Sequence, residues 1–196
     1  MTIMATATVE ITLFGKLKCK QGREASENGH TQQAIQHYTE ALEAFNKTDD
    51  VPRQTEVIKL IRRENVYARR EQTIQEYTEA LHRFTKINDV DAQKQVNESI
   101  RREQEMILGD KKSCRGCDKF ETHIYVAKRA FEDAIKHYKN GHDQYAEAEA
   151  NRNTAECLRR ACMVNSEAKF DKEADRLFTL IGRLDLVKST NGDLEK

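Results

Sequence analysis

The sequence predicts an all-α chain of about four antiparallel helix pairs, and three observations predict it. The 196 residues are charge-rich and turn-poor: 34% are charged, with one proline, eight glycines and no tryptophan, whereas a β sandwich needs many Gly/Pro turns. A segment recurs: residues 34–45 read AIQHYTEALEAF and residues 73–84 read TIQEYTEALHRF, eight matches in twelve at an offset of 39, and IRRE at 61–64 returns as IRRE at 100–103 at the same offset. Within the repeated segment Ala34, Tyr38, Ala41 and Phe45 are spaced by four, three and four, which gathers them on one helix face.

The elements follow in order. Residues 1–6 read as a tail, and the first helix runs over about 7–28. Gly29 suits the position just past a helix and Thr31 an N-cap, so the second helix covers 31–47. A polar turn, Lys47-Thr48-Asp49-Asp50, precedes Pro52, which sits where a first helical turn tolerates the missing N–H. The 39-residue offset then sets helices at 51–69 and 71–87, and Asn88-Asp89 repeats the turn. The third pair is expected at 90–108 and 119–140, with GDKKSCRGCD (109–118) as an inserted loop. In its second helix Ala127, Phe131, Ala134, Ile135 and Tyr138 match Ala34, Tyr38, Ala41, Leu42 and Phe45. Gly141-His142-Asp143 forms the next turn. The last pair falls at 143–164 and 167–185, with Ala174, Phe178 and Ile181 on the repeated face. The repeats thus span about 7–50, 51–88, 89–141 and 142–185, followed by a tail at 186–196.

The pattern of Gly22, Gly29, Ala34, Tyr38 and Ala41 resembles the tetratricopeptide repeat (TPR), and Tyr77 and Ala80 carry it into the second repeat. The 39-residue period is similar to the longer repeats of Pins/LGN or Tonsoku-like adaptors. The resemblance implies a right-handed superhelical stack, no enzymatic activity, no cofactor, and a concave face made by the first helices that holds a peptide or helix of another protein. It also implies that residues related by 39 line that face. Arg23, Arg62 and Arg101 form one such set, Lys16, Thr55 and Lys94 another, and Ser26, Asn65 and Gln104 a third.

An arginine column suits carboxylates, because the guanidinium fork makes bidentate hydrogen bonds. The expected site for an acidic peptide is therefore Lys16, Arg23, Arg62, Asn65, Lys94, Arg101 and Gln104. The adjacent Arg63 and Arg102 are alternatives, as is a solvated face with Glu64 and Glu103 neutralising the column. A further reading gives the column and the basic loop residues Lys111, Lys112 and Arg115 to nucleic acid. Against it stand 33 Lys+Arg balanced by 33 Asp+Glu, since a general polyanion or membrane-surface binder needs a basic excess.

Cys114 and Cys117 have a metal-like CxxC spacing, with His123 further on. A structural zinc site needs four ligands, so the competing reading is a reduced dithiol. Cys157 and Cys162 are expected as buried thiols. Five cysteines suggest reduced thiols and a cytoplasmic or nuclear location. The first ten residues lack the basic and apolar regions of a secretory signal, and no apolar run suits a membrane span. The apolar stretch from Leu177 to Val187 either packs on the preceding helices or supports self-association.

Overall fold

The computed structural model describes residues 2–187. They form seven α-helices: α1 (Thr2–Glu27), α2 (Thr31–Lys47), α3 (Val51–Lys86), α4 (Val90–Lys119), α5 (Ile124–Gly141), α6 (Gln144–Arg160) and α7 (Val164–Leu180), followed by one 3-10 turn (Leu184–Leu186). No strand occurs among the described residues. The chain divides into two compact units, Met1–Gln75 and Glu76–Lys196, with the boundary inside α3.

Six helix ends share one closure. The N–H of His30, Asp50, Asp89, Asp143, Met163 and Arg183 each donates to the carbonyl five residues back, at Ala25, Phe45, Phe84, Tyr138, Leu158 and Phe178. The residue before each donor has positive φ: Gly29, Asp49, Asn88, His142, Cys162 and Gly182. This is the Schellman closure, which satisfies the last carbonyls of a helix. Three of the turns also start the next helix, because the Asp50, Asp89 and Asp143 carboxylates accept from the backbone N–H of Arg53, Ala92 and Ala146. Side-chain amides of Gln54 and Gln93 reach back to the carbonyls of Phe45 and Phe84, so the 39-residue period reappears in three dimensions at these turns.

In the first unit α1 and α2 form an antiparallel hairpin. Its seam sets two glycines against two rings. A Cβ on Gly15 would lie 2.7 Å from the Phe45 ring, and one on Gly22 would lie 2.5 Å from the Tyr38 ring. Ala34 and Ala41 flank the rings on α2 and are fully buried. The first half of α3 closes this core with Val57 and Leu60, and Ile61 and Leu42 pack at its edge.

The α4–α5 hairpin of the second unit repeats the arrangement. Gly109 faces Tyr138 and Gly116 faces Phe131, with Cβ-to-ring distances of 2.7 Å and 2.6 Å. Ala127 and Ala134 stand where α2 has Ala34 and Ala41. Cys157 of α6 packs with Ala127 and Phe131, and Ala150 with Ala134 and Tyr138. The α6–α7 pair buries Ala148, Ala174, Leu177 and Phe178. Arg152 secures the C-terminal segment by donating to the Leu186 carbonyl at 2.7 Å and to Asp175 at 2.6 Å.

Several expectations are corrected. The expected tail at 1–6 is helical from Thr2 onward. The N-cap of α2 is His30 rather than Thr31, whose buried hydroxyl instead donates to Glu71 at 2.9 Å. The expected helices 51–69 and 71–87 are one continuous helix. Its Ala68 occupies the position of Gly29, and a β-carbon makes the left-handed turn costly. The expected loop 109–118 is the C-terminal part of α4, because Gly109 and Gly116 serve close packing rather than a turn. Lys111, Lys112 and Arg115 are therefore helical residues. Cys162 is exposed at a turn, whereas Cys157 is buried as expected. Within the apolar C-terminal stretch Leu177 and Phe178 are core residues, Ile181, Leu186 and Val187 pack against them, and Leu180 and Leu184 remain exposed. Residues 188–196 of the expected tail lie outside the described residues.

Alanine at Gly22 or Gly116 should destabilise the fold by about 1–3 kcal/mol through overpacking, despite its better helix propensity. Alanine at Gly29 has no neighbour within 4 Å but meets a φ of +78°, so it should cost about 1–2 kcal/mol for conformational reasons alone. Urea unfolding followed by circular dichroism measures all three.

Candidate functional site

The repeated hairpins leave charged side chains on the outer faces of their helices, and one set converges in the first unit. Lys16, Cys19, Lys20 and Arg23 are spaced by three, one and three along α1, which puts them on one face. Together with Phe45 of α2 and Arg53 and Glu56 of α3 they line a shallow cleft of about 210 Å³. Four cations thus face one carboxylate. The Arg23 guanidinium donates to Glu56 at 2.8 Å, and both side chains are more than half exposed. Arg53 is held by Asp50 and lies over the Phe45 ring, 5.8 Å from its centroid. Lys20 approaches Glu24 at 3.8 Å. Burial raises the Cys19 thiol pKa above its ordinary value, with the nearby Arg23 charge opposing the shift.

The same unit also buries a polar group. Glu64 of α3 is fully buried, and its Oε1 accepts from the Ser26 hydroxyl of α1 at 2.8 Å and from the adjacent Arg63 at 3.3 Å. A buried carboxyl requires such partners, since desolvation without them is costly. Burial also pushes the pKa of the neighbouring Tyr38 hydroxyl up to about 12. In the second hairpin Tyr138, at the position that matches Phe45, donates to Asp110 at 2.9 Å, and burial raises its pKa as well.

The expected site residues are therefore distributed as follows. Lys16 and Arg23 meet in the cleft. Arg62 and Asn65 are exposed on α3 and do not line it, and the Asn65 amide donates to Ile61 of its own helix at 3.0 Å. Lys94, Arg101 and Gln104 belong to the second unit, on α4. Lys94 shares one face of α4 with Glu98, which accepts two hydrogen bonds from Arg101 at 3.0 and 2.7 Å. Those bonds hold the Glu98 carboxyl down at a pKa of about 2. Arg102, an alternative, also reaches Glu98, at 3.3 Å. Ser26, expected beside the column, is instead committed to Glu64.

Lys20 and Arg53 were not singled out by the sequence. The signal for Lys20 was its helical spacing from Lys16 and Arg23, but Arg53 joins them only through the packing of α3.

Cys114 and Cys117 lie one turn apart on α4, and His123 precedes α5, where its ring contacts the Thr122 hydroxyl at 2.9 Å. Among the described residues no three of His, Cys, Asp and Glu converge to hold a metal ion. No cysteine is in a disulfide. No helix of the described residues is long and apolar enough to cross a membrane.

Comparison of the chain with protein-family models, with curated proteins and with solved structures returned no match.

Replacing fully buried Glu64 by alanine should cost about 2–5 kcal/mol, because it leaves a cavity and takes the acceptor from the Ser26 hydroxyl. Ser26→Ala removes one donor and should cost about 1–3 kcal/mol. Denaturant titration of the two variants checks the order.

Proposed function

We propose that the chain is a TPR-like helical-repeat adaptor that holds an acidic segment of another protein, and that the cleft of the first unit is its binding site. The observation that carries this reading is the convergence of Lys16, Lys20, Arg23 and Arg53 on one cleft whose lining holds a single carboxylate, Glu56, with Asp50 and Glu24 meeting Arg53 and Lys20 from outside that lining. The exposed Arg23–Glu56 pair is worth only about 0–1 kcal/mol, so a ligand carboxylate replaces Glu56 at little cost. Arg23 then supplies a bidentate fork and Lys16 a point charge. Half-buried Cys19 supplies an apolar spot for a neighbouring ligand side chain, and buried Phe45 backs the cleft from the core. The rigid hairpin holds these groups in place before the ligand arrives, which lowers the ordering cost of binding. The protein carries out no chemistry in this reading; it positions its partner.

A fluorescein-labelled Glu-rich peptide tests the proposal by anisotropy. The Lys16→Glu, Arg23→Glu double variant should keep its helical circular dichroism and weaken binding about tenfold or more, since reversing charges adds repulsion to the lost attraction. Binding to the unmodified protein should also fall with added salt. Unchanged affinity in a folded double variant would falsify the reading.

A further inference from the structure

The duplication of the hairpin provides an internal comparison. Gly15 and Gly22 correspond to Gly109 and Gly116 at an offset of 94, and Tyr38 and Phe45 correspond to Phe131 and Tyr138 at an offset of 93. The same offsets pair Lys18 with Lys112 and Glu40 with Asp133. The geometry supports that register, because Lys18 meets Glu40 at 2.6 Å and Lys112 meets Asp133 at 4.0 Å. The outer faces of the two hairpins can therefore be compared position by position.

Beside its ion pair the first hairpin carries Gln21, Gln32, Gln33, Gln36 and His37. This set is neutral, and Gln21 and His37 are tucked in, with Gln21 Oε1 and His37 Nδ1 both buried. At the same positions the second hairpin carries Arg115, Tyr125, Val126, Arg129 and Ala130. These residues, with Lys112 and Asp133, line a cleft of about 600 Å³ between α4 and α5. Ala130 in place of His37 removes an imidazole from the floor, and Arg115 in place of Gln21 is exposed. The basic, apolar-walled cleft is thus not a by-product of the hairpin, since the other copy of the same packing lacks its side chains.

The charges in the cleft are unbalanced. Lys112, Arg115 and Arg129 face the single carboxylate of Asp133, and Lys136 already holds Asp133 at 3.1 Å. Among the described residues no carboxylate lies in ion-pair range of Arg115 or Arg129. Tyr125 is 66% exposed and Val126 40%, so an aromatic and an aliphatic surface lie open beside the two guanidinium groups. Guanidinium forks call for planar anions, and the apolar wall calls for an aliphatic neighbour.

We propose that the α4–α5 cleft is a binding site for an acidic peptide that carries an aliphatic side chain among its carboxylates. Arg115 and Arg129 grip the carboxylates, and Tyr125, Val126 and Ala130 take the aliphatic group. The inference rests on reading the chain as a peptide-binding scaffold, but it does not depend on the cleft of the first unit.

The lack of tryptophan makes the site directly observable. A Tyr125→Trp variant carries one indole, at the rim of this cleft. The probe is a short acetylated and amidated peptide of glutamates around one leucine. It should change the indole fluorescence saturably, and replacing its leucine by alanine should weaken binding severalfold. Adding Arg115→Gln and Arg129→Gln copies the residues that the first hairpin already accommodates at Gln21 and Gln36, so the fold should persist, and peptide affinity should drop at least tenfold. Adding Lys16→Glu and Arg23→Glu should leave the indole response unchanged. If the glutamine variant binds the peptide as well as its parent, the proposal fails. It also fails if a single-stranded oligonucleotide shifts the indole signal and the peptide does not. Loss of the response only in the Lys16, Arg23 variant would place the site in the first unit and overturn this inference alone.

Discussion

The α1–α2 and α4–α5 hairpins depend on the same constraint: two glycines on one helix must lie flat against two aromatic rings on its partner. No side chain separates Gly15 and Gly22 from Phe45 and Tyr38, or Gly109 and Gly116 from Tyr138 and Phe131. Leaving out the β-carbon lets the backbones approach, and the ring fills the space gained. A glycine inside a helix ordinarily costs about 0.5–1 kcal/mol relative to alanine. That cost is offset because a large ring is buried without a void, and close packing governs core energetics. The alanines on α2 and α5 extend the close approach along the seam. Since this lock fixes the inner faces, the outer faces can carry different residues, and the two copies do differ there.

The closures at the helix ends follow from the same packing. In four of the six closures a buried large side chain, Phe45, Tyr138, Leu158 or Phe178, sits five residues before the donor, and its carbonyl accepts the terminal N–H. Those four turns are thus anchored to the core, and the chain reverses where a large side chain is buried. Asp at the following position then begins the next helix by accepting an N–H, so one short segment stops one helix and starts another. At Ala68, where the 39-residue register would place a turn, the helix continues.

Much of this was legible in the sequence, and the gaps have definite causes. The spacing of Ala34, Tyr38, Ala41 and Phe45 identified the buried face of α2, and its echo from Ala127 to Tyr138 identified that of α5. The Asp turns were also readable, because their chemistry is local. Gly109 and Gly116 misled, since a glycine signals both a turn and a close contact, and only the facing rings distinguish the two. A spacing of seven, shared with Gly15 and Gly22, was the available clue. Lys16 and Arg23 were legible as neighbours on one helix face. Arg53 and Glu56 were not, because their place beside that face depends on how α3 packs. The commitment of Ser26 to Glu64 was hidden for the same reason: sequence period marks equivalent positions but not which of them become buried.

The glycine seam also has a dynamic consequence. An aromatic ring sweeps out extra volume when it turns over about its axis, and here the backbone of the opposite helix occupies that volume. Tyr38, Phe45, Phe131 and Tyr138 can therefore flip only when their own hairpin opens briefly. Ring-flip rates become a gauge of how often each helix pair breathes, read separately for two copies of one design within a single chain.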